Sequence, residues 1–122
     1  MTNAEIIYSY LRKAGCTFDG AVGILGNLQG ESGSFNPLAV EGMNNKNTSF
    51  GKSGLSLEEY TARAMAGQAT INGKQFIKDS LGYGIVQWTY WARKQNLLNF
   101  AKEKNKSIGD LTLQLDFMLY EV

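Results

Sequence analysis

Ile6, Ile7, Tyr10, Leu11 and Ala14 recur at the three-and-four spacing of an amphipathic helix, and Gly15 follows as a stop, which predicts a helix over 3–14. Asp19 is the expected N-cap of a second helix running to Ser32, with Gly33 ending it. Gly20, Gly23, Gly26 and Gly30 all lie within that second helix. Each costs about 1 kcal/mol against alanine in a helix interior. The expectation is therefore a core helix whose neighbours approach its backbone closely. Residues 38–56 are rich in Asn, Gly, Ser and Lys and read as a long loop, the kind that is functional or mobile in small domains. Ser56 and Glu59 form a capping box that opens a helix to about Ala66. Residues 70–84 read as irregular, with Asn72-Gly73 as a turn. Thr89 is placed to cap a helix that holds Trp91, Gln95, Leu98 and Ala101, with Trp91 assigned to the core. Ser107 to Asp110 open a last helix, with Ile108, Leu111, Leu115, Met118, Leu119 and Val122 on one face. No stop signal follows it, which suggests a module of something longer. The sum is one domain over 1–122, α+β but mostly helical, with five helices and a small strand pair.

Composition narrows the chemistry. The 122 residues are 43% hydrophobic and 19% charged, enough to bury a core. Histidine is absent, which removes Ser-His-Asp and Cys-His nucleophile systems, His-ligated zinc and His-ligated haem. The lone Cys16 allows no intrachain disulfide and no Cys-rich metal site, and is read as a small buried hydrophobe. Twelve basic and eleven acidic side chains leave a net charge of +1, so no nucleic-acid partner is expected. No apolar run approaches the roughly 18 residues of a membrane span, and the first residues show no secretory signal.

Among the eleven acidic residues Glu31 has the least ordinary position. It sits in the last turn of the glycine-containing helix, on the face that carries Ile24, Asn27 and Leu28. Burial among apolar groups and the negative end of the helix dipole would both favour a protonated carboxyl. A carboxyl that keeps its proton near neutral pH can protonate a leaving oxygen, which is the task of a glycosidase general acid.

Residues 21–33, Ala-Val-Gly-Ile-Leu-Gly-Asn-Leu-Gln-Gly-Glu-Ser-Gly, followed by Asn36-Pro37, resemble the active-site helix of the phage tail lysozyme family, lysozyme-like domains of phage endolysins and tail-associated lysins. Gly82-Tyr83-Gly84-Ile85-Val86-Gln87-Trp88-Thr89 is a second matching block, about 50 residues downstream of the first. Arg93 to Ala101 and Leu113 to Phe117 resemble the family's remaining helices, so the likeness spans nearly the whole chain. The Glu-Ser, Asn-Pro and Gly-x-x-Gln elements are also similar to goose-type lysozymes and lytic transglycosylases.

The resemblance implies a lysozyme-like fold with a substrate cleft. It makes Glu31 the catalytic acid, acting on the bond between N-acetylmuramic acid and N-acetylglucosamine in bacterial peptidoglycan. Ser32, Tyr83, Gln87 and Trp88 become the expected substrate-binding residues. For Gln87 the competing reading is an amide that ties its loop to the core, and for Tyr83 a packed aromatic. A second carboxylate is less well marked; Glu41 and Asp79 are the nearest candidates by segment. No metal and no organic cofactor are implied, and the partners are peptidoglycan glycan strands, with no membrane partner and with further lysin or tail domains expected. The implied setting is a holin-released endolysin, passing from host cytoplasm to cell wall, or a virion tail. Two alternatives stand beside hydrolysis: a lytic transglycosylase that leaves 1,6-anhydro ends, and a wall-binding module without catalysis. A structural spacer is a third, and the costly glycine-containing helix ending in Glu31 argues against it.

Overall fold

The first helix, α1 (Asn3–Lys13), starts where a Thr2–Glu5 capping box satisfies its free amides, and it buries Ile7 and Leu11. α2 (Phe18–Ser32) follows; its N-cap is Thr17, whose hydroxyl accepts from Gly20 N, and not Asp19. Gly33, at φ 72°, ends it as expected. The computed structural model describes residues 1–33 and 35–122. The long loop then holds a short helix that the sequence pattern did not predict, α3 (Ser49–Ser53), capped by Thr48. α4 (Leu57–Met65) begins at the Ser56–Glu59 capping box. Next come a small antiparallel hairpin, β1 (Ala69–Ile71) and β2 (Lys74–Gln75), and a single 3₁₀ turn over Phe76–Lys78. Asn72 and Gly73 both have positive φ, the geometry a two-residue hairpin turn requires. α5 (Trp91–Lys104) starts at Tyr90 without a side-chain cap, so Thr89 does not serve as one. α6 (Leu111–Tyr120) is capped by Asp110. The described residues thus hold six α-helices rather than five and the expected strand pair, a mostly helical α+β domain.

The core draws on every helix: Ile7 and Leu11, Ala21 and Leu28, Phe50, Tyr60 and Ala64, Leu97 and Ala101, Leu115 and Phe117. Trp91, assigned to the core from its spacing, is 52% exposed. Cys16 is half-buried rather than buried. The glycines of α2 also depart from expectation. All four are exposed, and a Cβ built at Gly23, Gly26 or Gly30 would meet nothing within 4 Å. No close backbone approach explains them, because they lie on the solvent side of the helix. Among the described residues no helix is long and apolar enough to cross a membrane.

One polar cluster sits inside the core. Asp79 and Lys94, with side chains fully buried, pair at 2.6 Å. Asp79 also accepts from the hydroxyls of Tyr60 (2.6 Å) and Thr70 (2.8 Å) and from Leu81 N (3.0 Å). The Lys94 ammonium donates to Leu81 O at 2.8 Å and lies 4.1 Å from the centre of the Phe76 ring. Burial pulls Lys94 below its ordinary value, and Asp79 opposes that pull.

Candidate active site

Three stretches of chain build the site wall. Residues 39–41 run beside 82–84, with Gly84 N donating to Ala39 O (2.8 Å) and Glu41 N to Gly82 O (2.9 Å). Tyr83 in turn exchanges both backbone hydrogen bonds with Trp88, at 3.1 and 3.0 Å. A Cβ at Gly82 would lie 2.7 Å from Gln87 Oε1, and one at Gly84 would lie 2.8 Å from Gln114 Oε1 at a φ of +79°. Position 84 favours glycine by its backbone conformation, and a side chain at 82 would have to push the Gln87 amide aside. Gln114 is completely buried in α6 and clamps the assembly. It accepts from Ile85 N (3.0 Å) and donates to Pro37 O and Ile108 O, both at 2.7 Å.

Two surface hollows open on this wall. One, of about 370 Å³, is lined by the end of α2 (Glu31, Ser32, Gly33), by residues 39–45 and by Gln87. The other, of about 570 Å³, lies between α2 and α6 and is lined by Ile24, Asn27, Leu28, Val86, Arg93 and Met118 among others. Glu31 and Gln87 line both. The side chain expected to be shielded is therefore exposed, but it borders a concavity on each side. Its face of α2 does carry Ile24, Asn27 and Leu28; of these only Leu28 is buried.

The other expected site residues divide. Gln87 reaches the hollows, held by two hydrogen bonds from its Nε2, to Ala39 O (3.1 Å) and Gly84 O (2.8 Å). Its φ of 57° is uncommon for a residue with a side chain. The loop-tying role and the place beside Glu31 thus coexist in one side chain. Ser32 lines the first hollow but is buried, and its hydroxyl donates to Leu28 O at 2.9 Å.

Tyr83 and Trp88, expected to touch substrate, have no exposed surface. The Tyr83 hydroxyl is 2.7 Å from Thr61 Oγ1, its ring stacks on Tyr60 at 5.7 Å, and burial pushes its phenol above the ordinary range. Trp88 Nε1 donates to Glu121 (2.9 Å), which Arg93 grips with two further hydrogen bonds at 2.8 and 2.9 Å. Burial works against the charge of Glu121, but the Arg93 and Trp88 contacts outweigh it and hold the carboxyl below its usual value. Both aromatics are thus supports behind the wall. They are buried because each ring fills core volume while its polar atom finds a partner.

Of the two further carboxylates, Asp79 is consumed by the buried pair, whereas Glu41 lines the first hollow together with Glu31. Gln114 and the Asp79–Lys94 pair were not anticipated as parts of the site's framework. The only sequence signal was a polar residue, Gln114, flanked by Leu113 and Leu115 on a largely apolar helix. Among the described residues no group of three or more His, Cys, Asp or Glu side chains could hold a metal ion.

No solved structure gave a significant match to this chain. The family model for phage tail lysozyme matches residues 2–122. A carboxylate at a helix end, set between two hollows and facing a glycine-braced wall, accords with that match. The chain belongs to the phage tail lysozyme family, and with it to the lysozyme-like enzymes that break down cell-wall peptidoglycan.

Proposed function

We propose that this protein hydrolyses the glycosidic bond between N-acetylmuramic acid and N-acetylglucosamine, with Glu31 as general acid. The observation that supports this most is the place of Glu31 on the border of both hollows. A glycan strand lying across α2 would put sugar rings on either side of that carboxyl and the scissile oxygen over it. Gln87 spends both Nε2 hydrogens on Ala39 O and Gly84 O, which leaves its Oε1 as an acceptor for a sugar hydroxyl or an N-acetyl N–H. Asn27, Asn44 and Asn45, also at the rims, offer amides that both donate and accept.

The test is lysis of purified cell walls by wild type and Glu31→Gln. Loss of a positioned general acid lowers the rate by about 10²–10⁴-fold, so the variant should bind walls without clearing them. Walls cleared equally by both proteins would refute the role of Glu31. Mass spectrometry of the released muropeptides separates the chemistries. Hydrolysis leaves reducing ends; 1,6-anhydro ends would assign the protein to lytic transglycosylation instead.

A further inference from the structure

Glu41 is held in a way that suits a second function. Its Oε1 accepts from Gly82 N at 3.0 Å, and its own backbone N donates to Gly82 O at 2.9 Å. Residue 41 is therefore anchored to the braced wall at both ends. Its Oε2 carries no hydrogen bond among the described residues, and the side chain is exposed on the hollow that Glu31 also lines. A carboxylate fixed by one oxygen and free at the other is oriented without being consumed. The charged groups around it are Glu31 across the hollow and, behind residues 79–84, the Lys94–Asp79 pair; the charge of Glu41 is close enough to favour the Lys94 cation.

We propose that Glu41 is the general base of the reaction. This inference rests on Glu31 being the acid. The bond between the anomeric carbon and the leaving oxygen breaks, its electron pair goes to that oxygen, and Glu31 supplies the proton. A water held at Glu41 Oε2 forms the new bond to the anomeric carbon and gives its proton to Glu41. Glu31 leaves the step ionised and Glu41 leaves it protonated. Both face solvent, so exchange with water returns each to its starting form. Two carboxyl groups flanking one scissile bond in these roles are sufficient for hydrolysis. The Gly82 contact is what fixes the base, because it uses the oxygen that does not react.

Glu41→Gln separates chemistry from structure. The amide oxygen can still accept from Gly82 N, but the side chain can no longer take a proton. Release of reducing ends should fall by about 10²–10⁴-fold, with wall binding and melting temperature kept. The acidic limb of the wild-type pH–rate profile, which reports an ionised base, should vanish from the residual activity. A Glu41→Gln enzyme with the wild-type rate and an intact acidic limb would overturn the proposal. If Glu31→Gln abolishes lysis in that same experiment, the acid assignment survives and only the base assignment fails. If the Gln variant is unstable, Glu41→Asp decides, because it keeps an ionisable group. It must retain the acidic limb, and a profile flat on the acid side would refute the role.

Discussion

Replacing Lys94 with methionine probes what holds the site wall in place. The ammonium donates to Asp79 Oδ1 at 2.6 Å and to Leu81 O at 2.8 Å, and both charged side chains are fully buried. Methionine fills most of the volume but leaves Asp79 with three donors and no counter-charge. Breaking a buried pair in this way costs about 3–5 kcal/mol, because the remaining charge has neither water nor a partner. A domain of this size has about 5–15 kcal/mol of stability in all, so the loss is a large fraction. At roughly 3–5 °C per kcal/mol for this length, the melting temperature should drop by about 10–20 °C. Urea unfolding followed by far-ultraviolet circular dichroism measures it directly. Asp79→Asn should be comparably destabilising, since it strands the ammonium. The double variant should cost less than the sum of the singles, with a coupling of at least about 1 kcal/mol, as expected for groups in direct contact. A Lys94→Met protein within about 1 kcal/mol of wild type, or additive single effects, would show that the pair is not the strut described here.

Two further perturbations follow from the same geometry. Gly23, Gly26 and Gly30 have open space where a Cβ would sit, so alanine at all three should stabilise α2 by about 1–3 kcal/mol in total. By contrast, Gly51→Ala places a Cβ 2.1 Å from Asn45 O and should destabilise, displacing the loop that lines the first hollow; melting curves of the variants decide both. Glu121 sits below its ordinary value of 4.5, so the stability it contributes is fully present above that pH and is lost as pH falls through its lower folded value. Glu121→Gln should cost about 1–2 kcal/mol at neutral pH, from the lost ion pair and weakened hydrogen bonds, and should flatten the acid side of the stability curve. An unchanged acid limb would show that the Arg93 and Trp88 contacts do not hold the charge.

Helices with a side-chain signal at their start were legible from the residues. The Ser56–Glu59 box fixed α4, and Asp110 falls in the stretch expected to open α6. α3 has five residues and the hairpin strands three and two, too few for either hydrophobic period to register. Spacing also gives a face without saying what covers it. Trp91 shares helical spacing with Leu98, yet it lies over Lys78 at the surface while Leu98 is buried. The same holds for Glu31: it shares a face with buried Leu28, yet it is exposed while its neighbour Ser32 is buried. Glu41 stood out only as a nearby acid, since its value depends on a hydrogen bond to Gly82, 41 residues away.

The second motif block shows how sequence resemblance and chemistry divide. Of Gly82 to Trp88, only Gln87 and its neighbour Val86 border the hollows. Tyr83 and Trp88 are buried and pair with each other through the backbone, and the flanking glycines make room for Gln87 and Gln114. Most of this block therefore maintains a wall in which the Gln87 amide is held at the edge of both hollows. An exposed acid facing such a wall has a consequence for specificity. If the scissile bond is set over Glu31 only when a strand occupies both hollows, short fragments that fill one hollow should bind without being cleaved efficiently. Binding energy from sugars remote from the scissile bond would then appear in the turnover rate rather than in affinity alone.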